Sequence, residues 1–484
     1  MNKTIPLLAL LTGVILVLSS CMEESTVSLP SEDMAENNNT IVTCSDFATP
    51  TPPGGASTVP LLIVRIQFEG DPFDDSFSGN PYEYNSFYSD ACTWAKKIFY
   101  NAEEGQLNHY FNAVSYNNFH LEPASETHDN DNSISDGIIT VTMSGNHPNP
   151  QSSGLFHSYL SNAIDQADAY IDFSSYDNDS DGTIEINELQ VMYLVAGYES
   201  ATTTSAAYHG VWAHKWCVSG QEGVPSPTAD GVTLLSCSGN GYSRFGERHT
   251  SSGYDATIGV IAHELGHAIF DLPDLYDIDG SSYGIGSFGL MGYGSWGYES
   301  GENSGETPVH PSAWVKAENG WVTVDTQTTG NQNVDLYDTA QSNYNIIKVD
   351  IPSDTNQYFL LENRGTTSYD KGLYVLGDIE SGSSFQGGIA IWHIDEGQAS
   401  SSNIDNSDET RKLVDLEEAA DVGLDSKSHL GYSTNLFYAG NGPDPFDDAS
   451  TPVNTKDYDS ANTGISVYSF PARSSTMNID ITVP

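Results

Sequence analysis

The chain has 484 residues, of which 66 are acidic and 16 basic, for a formal net charge of −50. So acidic a surface repels nucleic acid and anionic lipid headgroups, which excludes a nucleic-acid partner. Hydrophobic residues make up 38% of the chain, enough to place the acidity on the surface of a folded protein rather than in a disordered one, and the length predicts two or more domains.

Residues 1–21 join Lys3, an apolar run from Ile5 to Leu18 and the ending Leu-Ser-Ser-Cys. The run is too short for a stable membrane span and reads as an export signal. Its ending resembles a bacterial lipoprotein box, in which Cys21 becomes the acylated first residue and holds the exported protein at a membrane surface. Residues 22–57 are polar and rich in Pro, Gly, Ser and Thr, the composition of a tether. Order is expected to begin near Leu61, where LLIVRIQF reads as a buried strand. Residues 86–121 mix a helical stretch with a second strand. Leu160, Ala163, Ile164, Ala167 and Ile171 share one helical face.

The stretch DNDSDGTIEINE, residues 177–188, follows the pattern of an EF-hand calcium loop. Asp177, Asp179 and Asp181 take positions 1, 3 and 5, and Gly182 the turn at 6. Thr183 offers its carbonyl at 7, Glu185 stands at 9, and Glu188 is the bidentate ligand at 12. A strand-like run, VMYLVAG (191–197), follows in place of a second helix. A sensor needs paired helices to open, so the expected calcium is structural. Beyond Cys21, four cysteines suit two disulfides in an exported chain. Cys217 and Cys237 bracket a loop and are the preferred pair, which leaves Cys44 with Cys92.

A helix is predicted over ATIGVIAHELGHAIF, residues 256–270, ended by Asp271-Leu272-Pro273. His263 and His267, four apart, project from one face and can share a zinc ion. Glu264 is placed to take a proton from zinc-activated water and pass it to a leaving amine, the logic of a metallopeptidase acting on protein or peptide substrates. Asp or Glu is missing between Asp279 and Glu299, so a ligand about twenty residues downstream is poorly supported. The third ligand is therefore sought just after the helix. Asp271 would serve if the helix ran one more turn, which Pro273 disfavours. Asp274 follows the Leu-Pro turn and can fold back, and Asp277 is better placed to support the turn. His209 and His214 flank Trp212; His214 and His393 read as structural histidines, and His310, before Pro311, is placed where it could face the cleft.

After about residue 325 the pattern changes to short strands separated by Gly-, Ser- and Asp-rich turns: NQYFLLENR, GGIAIWHID and TMNIDITV. Met477, Ile479, Ile481 and Val483 alternate with polar neighbours, the period of a half-buried strand. Residues 326–484 are thus expected to form an all-β sandwich or jelly roll.

HELGH, the LPDLYD that follows, and FGLMGYGSWG (288–297) together resemble the immune inhibitor A-type zinc metallopeptidases, secreted bacterial enzymes related to the metzincins. Further matching pieces are GQLNHYFNAVSYNNFHL, VWAHKW, HPSAWVKAENGWV, YFLLENR and GIAIWHIDE. The resemblance implies an α+β, metzincin-like zinc peptidase domain over 58–325, with Met291 in the methionine turn beneath the zinc. Anchored on Leu-Pro-Asp, it makes Asp274 the third ligand. The joint after His267 is one residue longer than in the family and lacks its Gly, which keeps Asp271 as the alternative. The family also carries an Asp-rich loop where residues 177–188 lie. Tyr293, two after Met291, is a candidate donor to a developing oxyanion. Two other functions fit parts of the pattern: a calcium-stabilised surface adhesion protein with a relic zinc site, and a zinc hydrolase of cell-wall amide bonds.

Overall fold

The computed structural model describes residues 47–70, 86–128, 136–148, 156–201, 210–249, 254–376, 384–399, 406–420 and 422–484. The export signal, Cys21, most of the tether, Cys44 and His209 lie outside these residues. Among the described residues no helix is long and apolar enough to cross a membrane. The chain divides into two compact units, each an assembly of its own elements, with the main boundary at Ala256–Thr257.

The first unit, mainly residues 58–100 and 121–256, is organised on an eight-stranded sheet. Its main order is Tyr254–Asp255, Tyr242–His249, Gln190–Glu199, Ser57–Phe68, Phe119–Pro123. Ser57–Phe68 runs parallel to Gln190–Glu199 and to Ile138–Met143, and Gln190–Glu199 runs parallel to Tyr242–His249. Parallel strands are covered on both faces and so carry continuous apolar runs rather than alternation. This explains LLIVRI and VMYLVAG: every residue of Gln190–Glu199 is buried. Helix α1 (Ala91–Phe99) is capped by Asp90, whose carboxylate accepts from the Thr93 amide at 2.7 Å. The predicted helical face at 160–167 is realised in a helix over His157–Ala167. Leu160, Ala163, Ile164 and Ala167 pack there with Val64, Ile66, Val191 and Tyr193. Ile171 is buried beyond the helix end. The Cys217–Cys237 disulfide is present.

The second unit comprises mainly residues 101–120 and 257–484. It contains helices over Leu107–Val114, Ile258–Phe270 and Ala313–Glu318, followed by two sheets. One sheet has the order Val324–Gln327, Ile346–Asp350, Gln357–Arg364, Gly388–Asp395, Val414–Leu416; the other has Gly330–Tyr337, Thr476–Val483, Ser466–Tyr468, Phe446–Asp447. Phe359, Leu361 and Ile391 of the first share one core with Val467, Ile479 and Ile481 of the second. In Thr476–Val483 the expected alternation holds, with Met477, Ile479, Ile481 and Val483 buried. The whole is an α+β mixture of helices and several sheets. The main compact division falls ahead of the HELGH helix. The reason lies in hydrogen bonds that tie residues 275–310 to the later β strands, among them Arg364 Nη1 to the Phe288 carbonyl at 2.5 Å.

Candidate metal centre

Helices numbered in chain order are α1, then α2 (Leu107–Val114), α3 (His157–Ala167), α4 (Ile258–Phe270) and α5 (Ala313–Glu318). Helix α4 is apolar on nearly all sides and correspondingly buried. Its second residue is Gly259 because the chain passes so close there: a Cβ would stand 1.8 Å from the Ser295 carbonyl oxygen. The Gly259 amide, which has no partner within the helix, donates to the Gly305 carbonyl at 3.0 Å.

One turn apart, the His263 and His267 rings meet with their Nε2 atoms 3.2 Å apart. The Asp274 carboxylate completes a triangle, with Oδ1 at 3.1 Å from each Nε2. The other ring nitrogens are committed elsewhere. His263 Nδ1 is 3.0 Å from the Leu290 carbonyl, and His267 Nδ1 is 2.5 Å from the Leu272 carbonyl. A carbonyl can only accept, so each Nδ1 carries a hydrogen and each Nε2 is left to present a lone pair to the shared centre. The donor set fits zinc: bonds of about 2.0–2.1 Å in a tetrahedral site separate ligand atoms by about 3.3 Å.

Asp274 gets there because α4 ends abruptly. Asp271 adopts a left-handed conformation at φ 51°, and its amide caps the Gly266 carbonyl. Its side chain is exposed and stands outside the triangle. The chain reverses through Leu272-Pro273, and the Leu275 amide is held by the Met291 carbonyl at 2.8 Å. Asp277 is buried and accepts from the amides of Asp279, Gly280 and Ser282, which supports the turn as the sequence suggested. Met291 is fully buried under α4, where a Cβ on Gly266 would stand 2.8 Å from its Sδ.

Burial lowers the His267 pKa, but the Asp274 charge beside it prevails and leaves the imidazole raised to about 9. Burial works against ionisation of Asp274 too, and the two imidazoles overcome it, holding the carboxyl well below its usual range. Such proton pairing is what a cation displaces on binding. Glu264, next to His263, is half-buried, and its charge acts on His267 and on Tyr276. Tyr276 stacks on His263 with centroids 6.1 Å apart. Burial raises its phenol first, followed by the Asp274 and Glu264 charges and a hydrogen bond to Asp274. Tyr293 is half-buried, 5.9 Å from Tyr276 between ring centroids. The roles of Tyr276 and of the Leu272 and Leu290 carbonyls escaped the sequence reading. For Tyr276 the only signal was its place in LPDLYD.

In the first unit, residues 177–188 form a tight, carboxylate-rich loop. The Asp177 carboxylate accepts from the Asp181 and Gly182 amides, both at 3.1 Å, and Gly182 has φ +83°. Asp177, Asp179 and Glu188 bring carboxylate oxygens together, as do Asp179, Asp181 and Glu185. Glu188 is buried and receives the Asn178 amide at 2.6 Å and the Glu185 amide at 3.0 Å. Thr183 pairs with Thr233, flanked by the Ile184 amide on the Thr233 carbonyl at 2.9 Å. A short 3-10 turn, Phe173–Tyr176, enters the loop, and strand Gln190–Glu199 leaves it.

Three other histidines named from the sequence have hydrogen-bonding partners among the described residues. His214 binds the Trp212 carbonyl, His310 the Ser368 hydroxyl and His393 the Gln357 amide oxygen. A polar cleft of about 490 Å³ lined by His109, Asn112, Tyr116 and Gln341 contains none of the three clustered residues.

Comparisons with known families agree with this geometry. A family described as "Immune inhibitor A peptidase M6, catalytic domain" matches residues 78–322. One described as "Immune inhibitor A-like metallopeptidase, VEG domain" matches residues 353–406. A search among curated proteins gives no match. The first match alone spans just over half of the chain and contains His263, Glu264, His267 and Asp274; the chain belongs to the immune inhibitor A family of M6 metallopeptidases.

Proposed function

We propose that this metallopeptidase is an exported, zinc-dependent endopeptidase whose ligands are His263, His267 and Asp274. The observation that carries the reading is the meeting of two imidazole Nε2 atoms and one carboxylate oxygen within 3.1–3.2 Å. When bound, zinc supplies Lewis acidity, polarising a carbonyl and making water acidic near neutral pH.

The chain's own residues do the rest. The Leu290 and Leu272 carbonyls fix both rings, and Tyr276 steadies the Asp274 carboxylate. Glu264 takes the proton of the attacking water at its carboxylate and delivers it to the nitrogen of the departing amine. Tyr293 donates its phenolic hydrogen to the oxyanion that develops on the scissile carbonyl. The peptidase region is assigned to residues 58–325, supported by the match to 78–322. The β region at 326–484 is assigned as a sandwich, supported by its two sheets around one core. The loop from Asp177 to Glu188 is assigned a structural calcium, and Cys21 a lipid anchor that keeps the exported enzyme at a membrane surface.

The test compares casein hydrolysis by wild type and Glu264→Gln with zinc measured in both. The variant is expected to keep its zinc and lose roughly 10²–10⁴-fold in kcat. Equal rates, or a zinc-loaded wild type that cleaves no peptide, would reject the assignment. Turnover of peptidoglycan but not casein would redirect it to cell-wall amide bonds.

A further inference from the structure

The loop that delivers Asp274 and the turn that carries Met291 contain little regular structure, yet both are gripped by later side chains, one on the strand Gln357–Arg364 and one in the loop before the strand Val414–Leu416. Arg364 ends the strand Gln357–Arg364 and is 1% exposed. Its Nη1 donates to the Phe288 carbonyl at 2.5 Å, and its Nη2 reaches the His310 carbonyl at 3.4 Å. Its Nε and Nη2 hold the Asp370 carboxylate at 2.9 and 2.5 Å. Asn406 is fully buried. Its Nδ2 donates to the Leu275 carbonyl at 3.1 Å and to the Val414 carbonyl at 2.9 Å. Its Oδ1 accepts from the Leu413 and Val414 amides at 3.0 and 3.3 Å. Every hydrogen-bonding position of that amide is used.

The two grips fall beside the groups that shape the metal centre. Leu275 follows Asp274 directly. Phe288 lies two residues before Leu290, whose carbonyl orients His263. Backbone bonds reinforce the same loops: the Ser287 amide donates to the Leu430 carbonyl at 2.9 Å and the Tyr283 amide to the Leu424 carbonyl at 3.0 Å. A buried ion pair is a poor device for stability alone, because apolar replacements of equal volume often serve as well. The forked, rigid guanidinium is better suited to fixing a carbonyl in space. Both Arg364 and Asn406 fall within the stretch that matches the VEG domain.

We infer that Arg364 and Asn406 are positioning residues for the metal site, and that the VEG-matching stretch is the template on which the third-ligand loop and the methionine turn are set. The inference rests on the zinc reading above.

Zinc affinity by chelator competition, kcat, KM and the thermal midpoint are measured for three variants. Asn406→Asp keeps the shape and the acceptor but loses the donor to Leu275. The pair Arg364→Met with Asp370→Leu removes the fork together with its carboxylate partner and leaves the buried Glu362 paired with Lys316. Ile479→Ala, in the shared β core, is the control for lost stability. The first two are expected to weaken zinc binding about tenfold or more and to lower kcat with KM little changed. Ile479→Ala should lower the midpoint and leave zinc affinity within twofold. Unchanged zinc affinity in the first two, or affinity that tracks the midpoint in all three, overturns the inference. If the wild type binds no zinc, the zinc reading falls by itself. The histidine ¹⁵N spectrum of the metal-free protein then decides the positioning, since the His263 Nδ1–H bond to Leu290 should be present in wild type and loosened in the first two variants. A spectrum identical among all of them overturns it.

Discussion

Tyr276 touches two of the three candidate ligands, stacking on His263 and hydrogen-bonding Asp274. Tyr276→Phe should keep the ring contact and lose the hydroxyl. The expected result is zinc affinity weakened roughly tenfold with an unchanged thermal midpoint, and chelator titration reads it. An affinity equal to wild type would reduce the tyrosine to packing. Gly259 makes a different kind of demand. A Cβ there would sit 1.8 Å from backbone oxygen, whereas one at Gly266 would meet the movable end of Met291. Gly259→Ala is therefore expected to destabilise by about 1–3 kcal/mol in urea unfolding, and Gly266→Ala by less. If Gly259→Ala cost nothing, the close approach of Ser295 to α4 would be wrong. The pairing of the two histidines was readable because four-residue spacing on a helix places two side chains on one face. The Leu290 carbonyl was not, because the backbone of every residue offers the same acceptor whatever its side chain.

At the scale of elements, α4 and its abrupt end were legible, since Pro273 disfavours another helical turn, and in the structure a left-handed Asp271 completes the reversal. The clustering of carboxylates at 177–188 was legible too, because those residues are local in sequence. The proposed calcium should stabilise the first unit by RT ln(1 + [Ca²⁺]/Kd), about 2.7 kcal/mol at a hundredfold excess over Kd. Calorimetry of zinc-loaded protein with and without free calcium should show a midpoint several degrees higher with the ion, and Glu188→Gln should abolish the difference. A midpoint indifferent to calcium would sink the assignment. A single 3-10 turn, Phe173–Tyr176, leads into the loop. Helical periodicity over 160–171 continues in the sequence past Ala167, although the backbone leaves the helix there and buries Ile171 separately.

For the whole molecule, buried titratable groups set opposing pH slopes. Burial lowers His120 and His393 to about 4, and His249 and His310 to about 3. Their folded values lie below 6.5, so the stability they carry is present above pH 6.5 and is lost as pH falls toward 3–4. Burial, against the pull of Lys412, raises Asp415 to about 7; burial and Asp425 raise Glu417 to about 8, and burial raises Glu418 to about 9. Raised carboxyls act the other way: their contribution is full below the ordinary carboxylate range and is lost as pH rises toward 7–9. The slopes, up to about 1.4 kcal/mol per pH unit for each group, oppose one another between about pH 4.5 and 6.5, where the four histidines outweigh the three carboxyls by about one group. The thermal midpoint should rise only shallowly there, fall steeply below and fall above, and Glu417→Gln should raise it at pH 8 but not at pH 4. A wild-type midpoint still rising at pH 8 would contradict this. By itself the sequence determined the chemistry that is local in the chain: the two histidines and Glu264, the candidate acids behind them, the calcium-type loop, and the strand and helix periods. Tertiary structure alone decided which acid meets the imidazoles, which carbonyls orient them, and which later residues hold the loops that carry them. Those are contacts between residues far apart in the chain, and sequence spacing carries no information about where such residues meet.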